Sequence, residues 1–298
     1  MISVIIPSYN SENTIEKCLD SLIAQSYRGK YEIILVDSSE DGTPGIMKNK
    51  YPQIQVIRFN NKTDPGTARN AGIGKAGGEL VAFIDSDCIA ANDWLEKIAK
   101  THESKKYRVV GGAVCNGNSE HDMVAWAGYL AEFREFLPER KMQEVMHIPT
   151  CNISYEKDVF LEFGLFQGKY YPQEDLIYNY NLWKNGEKIL MDPQIQVKHT
   201  HRTGLRDFLN HQKKIGITTA RVLKIIQLEG SFFARRPLIA ALFSPFLLMI
   251  KFLRTVFVFL KYRPDIIGKH ALALLPLFLG LVYWASGFIA GANTKDQF

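Results

Sequence analysis

At 298 residues, with 46% hydrophobic and 22% charged positions, the chain can bury a sizeable core, which excludes intrinsic disorder and a disulfide-dependent scaffold. Its four cysteines, Cys18, Cys88, Cys115 and Cys151, show no CxxC spacing, which argues against a zinc ribbon or a dithiol redox motif. The net charge of +5 is modest and no basic stripe precedes the C-terminal region, so nucleic acid is not an expected partner and an anionic membrane surface is the better match.

The opening run Met1 to Pro7 is too short and lacks the basic leader of a secretory signal, so the folded part is expected in the cytoplasm. Apolar runs of strand length follow at Ser3 to Ile6, Glu32 to Val36, Ile54 to Phe59, Leu80 to Ile84 and Arg108 to Val114. Segments of helical period alternate with them, the pattern of a parallel sheet with crossover helices. Ile15, Leu19, Leu22 and Ile23 form the first helical face, and Asn13 with Glu16 resembles a capping box. Downstream the pattern predicts helices over His121 to Phe136, Glu156 to Phe163 and Gln173 to Lys184. Strands are expected near Val145 to Ser154 and over Ile195 to His199.

In an open α/β sheet ligands bind beyond the carboxyl ends of the strands. The residues there are unusually polar: Pro7-Ser8-Tyr9-Asn10 after the first strand, Asp37 to Thr43 after the second, and Asp85-Ser86-Asp87 after the fourth. The Asp85 and Asp87 carboxylates suit a hard divalent ion that bridges a nucleotide's phosphates, with a solvated turn as the plain alternative. Asp37 can accept hydrogen bonds from a base edge or a ribose, or can simply build a turn. Arg69, in a helix opened by small residues, can contact a diphosphate, brace the Asp85 carboxylates or sit on the surface. Glu174 and Asp175 open a helix, where the helix dipole also favours acids; this pair is the candidate general base. His199 and His201 alternate on the last strand, and either is a further metal ligand or a structural histidine.

In this order the motifs Val4-Ile5-Ile6-Pro7-Ser8-Tyr9-Asn10, Asp37 to Thr43, Ala68-Arg69-Asn70-Ala71-Gly72, Phe83 to Asp87 and Glu174-Asp175 resemble those of the family 2 glycosyltransferases with the GT-A fold. The resemblance implies an α/β, Rossmann-like nucleotide-diphospho-sugar transferase domain over residues 1–220. It implies inverting transfer from a UDP- or GDP-sugar, with Mn²⁺ or Mg²⁺ held chiefly by Asp87 together with the donor diphosphate. Asp37 and the Pro7 to Tyr9 backbone would contact the base, with Ser8, Asn10, Arg69 and Ser86 completing the donor site. Asp85 would contact the ribose beside the metal, and Asp175 would be the general base with Glu174 its neighbour. His199 matches a metal-ligating position of some relatives. Asp87 is followed by Cys88-Ile89-Ala90 rather than by the Asp-Leu-Gln of dolichyl-phosphate mannose synthases. Gln212-Lys213-Lys214-Ile215-Gly216 stands where processive synthases carry Gln-x-x-Arg-Trp. Transfer of a single sugar is therefore expected, with a non-catalytic nucleotide-sugar or polysaccharide-binding subunit on the same fold as the rival reading.

Residues 221–298 form the expected membrane region. Ala271 to Ala292 carries no charge and is about as long as the roughly 20 residues a helix needs to span a bilayer, whereas Pro237 to Tyr262 contains Pro245, Lys251 and Arg254. Loop charges favour an interfacial helix followed by one span, with the catalytic domain on the cytoplasmic side of the cell membrane. A lipid-linked acceptor or a growing cell-surface glycan fits such attachment.

Overall fold

The computed structural model describes residues 1–294, so the last four positions of the expected membrane region lie outside the described residues. The chain divides into two compact units, Met1–Gly117 with Arg140–Thr200, and Asn118–Glu139 with the segment from His201 onward. Residues 118–139 thus group with the C-terminal helices rather than with the sheet on which the strand-end motifs lie.

The first unit runs β1 (Ile2–Ser8), α1 (Ile15–Ile23), β2 (Tyr31–Asp37), α2 (Thr43–Lys50), β3 (Gln55–Arg58), α3 (Pro65–Lys75), β4 (Leu80–Phe83), β5 (Cys88–Ala90), α4 (Trp94–Glu103) and β6 (Val109–Asn116). After the excursion through α5 (Met123–Glu132) it resumes with β7 (Gln143–Val145), β8 (Ile153–Glu156), α6 (Asp158–Phe163), α7 (Glu174–Lys184) and β9 (Ile189–His199). The nine-stranded sheet has the order β3-β2-β1-β4-β8-β6-β9-β5, with β7 added to β9. Pairing is parallel from β3 to β4 and mixed beyond it.

β1 is buried along its whole length, as its Ile- and Val-rich run requires of a central strand covered on both faces. α3 lies close on it because position 72 is Gly: a Cβ there would stand 2.4 Å from Ile5 Cγ2. Ile15, Cys18, Leu19 and Leu22 form the buried stripe of α1. The expected capping box is absent. Thr14 occupies the cap without its side chain accepting a helix amide: its Oγ1 donates instead to the Ser11 carbonyl at 3.4 Å, which also accepts from the Thr14 and Ile15 amides, each at 2.9 Å. Glu16 instead meets Lys50 Nζ at 2.5 Å.

Strand β9 starts six residues before the expected Ile195. Pro193 obscures its period, and the pairing with β6 shifts register between Gly112 and Ala113. A Cβ at Gly112 would lie 1.8 Å from the Ile195 carbonyl, so the irregularity needs glycine there. The strand ends at His199, and His201 falls in the second unit, so the two histidines do not alternate on one strand. Only the middle of the expected helix over His121 to Phe136 is helical, as α5, which begins where Asp122 Oδ1 accepts from the Ala125 amide.

The second unit contains α5, α8 (Leu205–Ile225), α9 (Ser231–Ala234), α10 (Pro237–Tyr262), α11 (Pro264–Lys269) and α12 (Leu274–Asn293). Two segments, Pro237–Tyr262 and Ala271–Asn293, are long and apolar enough to cross a membrane by length and composition. α12 meets α8 through glycines: a Cβ at Gly287 would lie 2.1 Å from the Lys213 carbonyl, and one at Gly291 2.2 Å from that of Ile217.

Candidate active site

The loops after β1, β2 and β4 are joined by hydroxyl and amide hydrogen bonds. Ser8 Oγ donates to Ser11 Oγ at 3.2 Å, and Ser11 Oγ bonds Ser86 Oγ at 2.7 Å. The Ser38 amide donates to the Ser8 carbonyl at 3.0 Å. Asn10, in the left-handed region at φ 52°, donates its amide to Ser39 Oγ at 2.7 Å and accepts the Glu40 amide at 2.9 Å. Pro7 stays within β1, opposite Val36, and Tyr9 lies under Lys62 Nζ, 4.1 Å from its ring centre.

Asp37 is buried at the end of β2. Its Oδ1 accepts from the Ser39 amide at 3.2 Å and from Ser39 Oγ at 2.5 Å, and its Oδ2 accepts from Arg58 Nη1. Arg58 also donates to the Ser39 carbonyl. Arg58 escaped the sequence reading, although it ends β3 and the strand-end rule that selected Asp37 applies to it equally. A cleft of about 380 Å³ opens beside the pair, lined by Met47, Tyr51, Ile54 and Val56 among others.

Arg69 is 3% exposed and forks between two carboxylates, donating from Nη2 to Asp85 Oδ1 at 2.7 Å and from Nη1 to Glu174 Oε1 at 2.9 Å. Helix α3 carries the arginine, and Asp64 caps that helix by accepting the Thr67 amide at 2.9 Å. Burial pushes the Glu174 carboxyl up to about 7, more than Arg69 offsets, and the neighbouring Asp175 pushes the same way. Burial likewise raises Asp85 against the opposing pull of Arg69. Burial alone would lower Arg69, yet Asp85 and Glu174 hold it above its ordinary value, so the arginine stays charged.

Asp87 lies in the turn between β4 and β5. Strand β5 pairs antiparallel with β9 so that Cys88 faces His199, which brings His199 Nε2 to 3.5 Å from Asp87 Oδ1. Asp87, Cys88 and His199 each place one ligand-type atom within 4.8 Å of the others. Burial pushes the Cys88 thiol well above its usual range, so it remains a thiol rather than a thiolate. A carboxylate beside an imidazole suits a divalent ion such as Mn²⁺ or Mg²⁺ whose other ligands are oxygens. Asp85 stands outside this donor group, and its Oδ1 is engaged by Arg69.

Asp175 has a separate setting at the start of α7. Its Oδ2 accepts from the Thr150 amide at 3.2 Å and from Thr150 Oγ1 at 3.4 Å. The short turn Thr150–Asn152 is fixed by Asn152, which donates to the Ala113 and Ile195 carbonyls at 2.8 and 2.9 Å and accepts Trp94 Nε1 at 2.8 Å. Neither Thr150 nor Asn152 carries a local motif that a sequence reading could have found.

A parallel-to-mixed sheet whose strand ends present acids, hydroxyls and a buried arginine defines the GT-A class of nucleotide-diphospho-sugar transferase folds. The family model for glycosyl transferase family 2 matches residues 3–164, and the chain belongs to that family. Among curated relatives, glycosyltransferase AglE of Haloferax volcanii is 36% identical over 118 residues, 38% of this chain and 39% of AglE. Poly(ribitol-phosphate) beta-glucosyltransferase of Bacillus spizizenii is 47% identical over 92 residues, 29% of this chain and 14% of that protein. The chain thus spans well under two thirds of these two proteins. Glucosyl-dolichyl phosphate glucuronosyltransferase of Haloferax volcanii is 26% identical over 235 residues, 72% of this chain and 68% of the relative. Among solved structures, S. aureus TarS 1-349 in complex with UDP-GlcNAc shares the fold at a TM-score of 0.56 and 18% identity, covering 96% of this chain and 90% of TarS 1-349. GalNAc-T7 with UDP, GalNAc and Mn²⁺ does so at 0.58 and 19%, covering 80% of this chain and 50% of that chain.

Proposed function

We propose that the chain is an inverting, metal-assisted glycosyltransferase that moves one sugar from a UDP- or GDP-sugar to a lipid-linked acceptor or a growing cell-surface glycan, at the cytoplasmic face of the cell membrane. The observation that carries the reading is the approach of Asp87 and His199 across the β5–β9 pair, beside the Arg69 fork. Asp87 and His199 would hold Mn²⁺ or Mg²⁺, which when bound supplies positive charge against the diphosphate leaving group. The UDP complexes of two fold neighbours support UDP as the first nucleotide to try.

In this reading the Pro7 to Asn10 loop and Asp37, the latter oriented by Arg58 and Ser39, hold the base, while Asp85 and Ser86 hold the ribose. Arg69 fixes Asp85, and Glu174 fixes Arg69 from the other side. Asp175, oriented through one oxygen by Thr150, takes the proton of the acceptor hydroxyl as that oxygen forms its bond to the anomeric carbon. The bond from that carbon to the diphosphate breaks on the opposite face, and the nucleoside diphosphate leaves with the electron pair. Attachment to a membrane confines the enzyme to the surface where lipid-linked acceptors reside.

The test is nucleotide release and sugar transfer by the full chain in detergent, screened over UDP- and GDP-sugars with and without Mn²⁺. Metal-dependent turnover that is lost in Asp87→Ala and falls by about a hundredfold or more in Asp175→Asn is expected. Donor binding without turnover under every condition would replace this reading with that of a binding subunit, and turnover unaffected by Asp175→Asn would remove the base from the scheme.

A further inference from the structure

The apolar surface of the second unit is arranged in two stripes. On α10, Leu238, Leu242, Phe246, Leu253, Phe257 and Leu260 are each at least half exposed and recur at helical spacing along the whole helix. The opposite face is buried at Ala240, Leu248, Thr255 and Phe259, and Arg254 meets Glu135 and Glu229 at 3.3 Å each. On α12 and the turn before it the exposed stripe begins as Leu272, Leu275, Leu279 and Tyr283 but continues as Ser286, Ala290 and Asn293. The part of that stripe built of large apolar side chains is therefore about 12 residues long, or roughly 18 Å, against the roughly 30 Å of a hydrocarbon core.

The other flank of α12 is α8. Contacts advance together along the two helices, Phe208 at Gly280, Lys213 at Gly287, Ile217 at Gly291, and Lys224 Nζ donating to the Thr294 carbonyl at 2.8 Å. A bilayer-spanning α12 would carry α8 into the hydrocarbon with it, and α8 presents exposed Arg206, Asp207, Asn210, Lys213 and Lys214. Charged side chains facing lipid at that depth are strongly disfavoured.

Charge points the same way. Residues 201–298 hold fourteen Lys and Arg against four Asp and Glu. Arg235 and Arg236 stand exposed before α10, Lys261 stands exposed in its last turn, and Lys269 stands exposed after it. A spanning α10 would send one of these basic ends across the membrane, against the positive-inside tendency, whereas a helix lying in the interface keeps both at the headgroups.

We propose that α10 and α12 lie in the plane of one leaflet of an anionic membrane, with the Leu238 to Leu260 and Leu272 to Tyr283 stripes inserted and neither helix crossing. The proposal rests on the membrane reading above but not on the transferase chemistry. It is tested with the full chain in right-side-out and inverted membrane vesicles, using an impermeant maleimide on Arg235→Cys, Gly268→Cys and Asn293→Cys, which flank α10 and α12, measured against the unsubstituted chain. Position 268 has nothing within 4 Å of a new side chain, and positions 235 and 293 are exposed, so folded variants are expected. Labelling of all three positions from the same face is expected, and labelling of any one from the opposite face overturns in-plane insertion while leaving membrane attachment intact. Recovery of the chain wholly in the soluble fraction would instead remove the membrane reading itself. Flotation of the purified chain with phosphatidylglycerol-containing vesicles should exceed that with pure phosphatidylcholine, and Leu242→Glu with Phe246→Glu should lower it about tenfold or more. Flotation indifferent to these substitutions would count against the stripe as the inserted surface.

Discussion

Arg69 and Glu174 lie 105 positions apart in the chain, yet their side chains meet at 2.9 Å in a buried ion pair. The same guanidinium holds Asp85, so one planar fork fixes two carboxylates that come from the two separate chain segments of the first unit. A lysine offers no such fork. Arg69→Met should cost about 3 kcal/mol of stability or more, because it leaves Glu174 buried and unpaired. Arg69→Lys should cost less than Arg69→Met, since an ammonium can still reach one partner. Denaturant midpoints of the two variants check the order, and equal midpoints would mean that the fork is not what stabilises this region.

His102 supplies an acid-side prediction. It is 4% exposed, its Nε2 lies 2.9 Å from Ser154 Oγ, and burial pushes it down to about 4. The unfolded chain takes up the proton near pH 6.5 while the folded chain resists until about 4. The stabilisation is therefore complete above pH 6.5 and is lost as pH falls towards 4, on the order of 3 kcal/mol in all. His102→Gln should lose this part of the pH slope between 6.5 and 4, read from unfolding curves across the window. An unchanged slope would place the titration elsewhere.

The neighbours of Asp87 separate two kinds of ligand. His199 offers an imidazole at 3.5 Å from Asp87 Oδ1, whereas Cys88 offers a soft sulfur, which a hard ion such as Mn²⁺ disfavours against oxygen ligands. Mn²⁺ affinity, measured by titration in the presence of UDP, should fall about tenfold or more in His199→Ala and stay within about twofold in Cys88→Ala. A large loss in Cys88→Ala would make the thiol a ligand.

What the linear chain revealed about the site follows a local rule. Strands rich in Ile and Val end in polar residues, and the ends of parallel strands share one edge of the sheet. Asp37, Asp85 and Asp87 could be selected from the runs preceding them, and hydrogen bonds through Ser8, Asn10, Ser11, Ser39 and Ser86 join the loops that follow those strands. Arg58 ends a short strand that was legible as the run Ile54 to Phe59, but nothing in the linear chain shows that its guanidinium turns to Asp37 on the neighbouring strand. Thr150 and Asn152 act through backbone groups of distant strands, a role with no signature in sequence.

The sequence by itself determined the strands β1, β2, β3, β4 and β6 and that acids would stand at strand ends, because side-chain periodicity and turn chemistry operate over a few residues. Only the tertiary structure decided the partners. The strand order joined β1 to β4 and placed β5 on β9, which set His199 beside Asp87, and the start of α7 came to α3, which set Glu174 beside Arg69. It likewise laid the uncharged segment 274–293 along the basic helix α8 rather than leaving it bare on every side. Hydropathy records how apolar a segment is; what covers each of its faces depends on contacts between residues far apart in the chain.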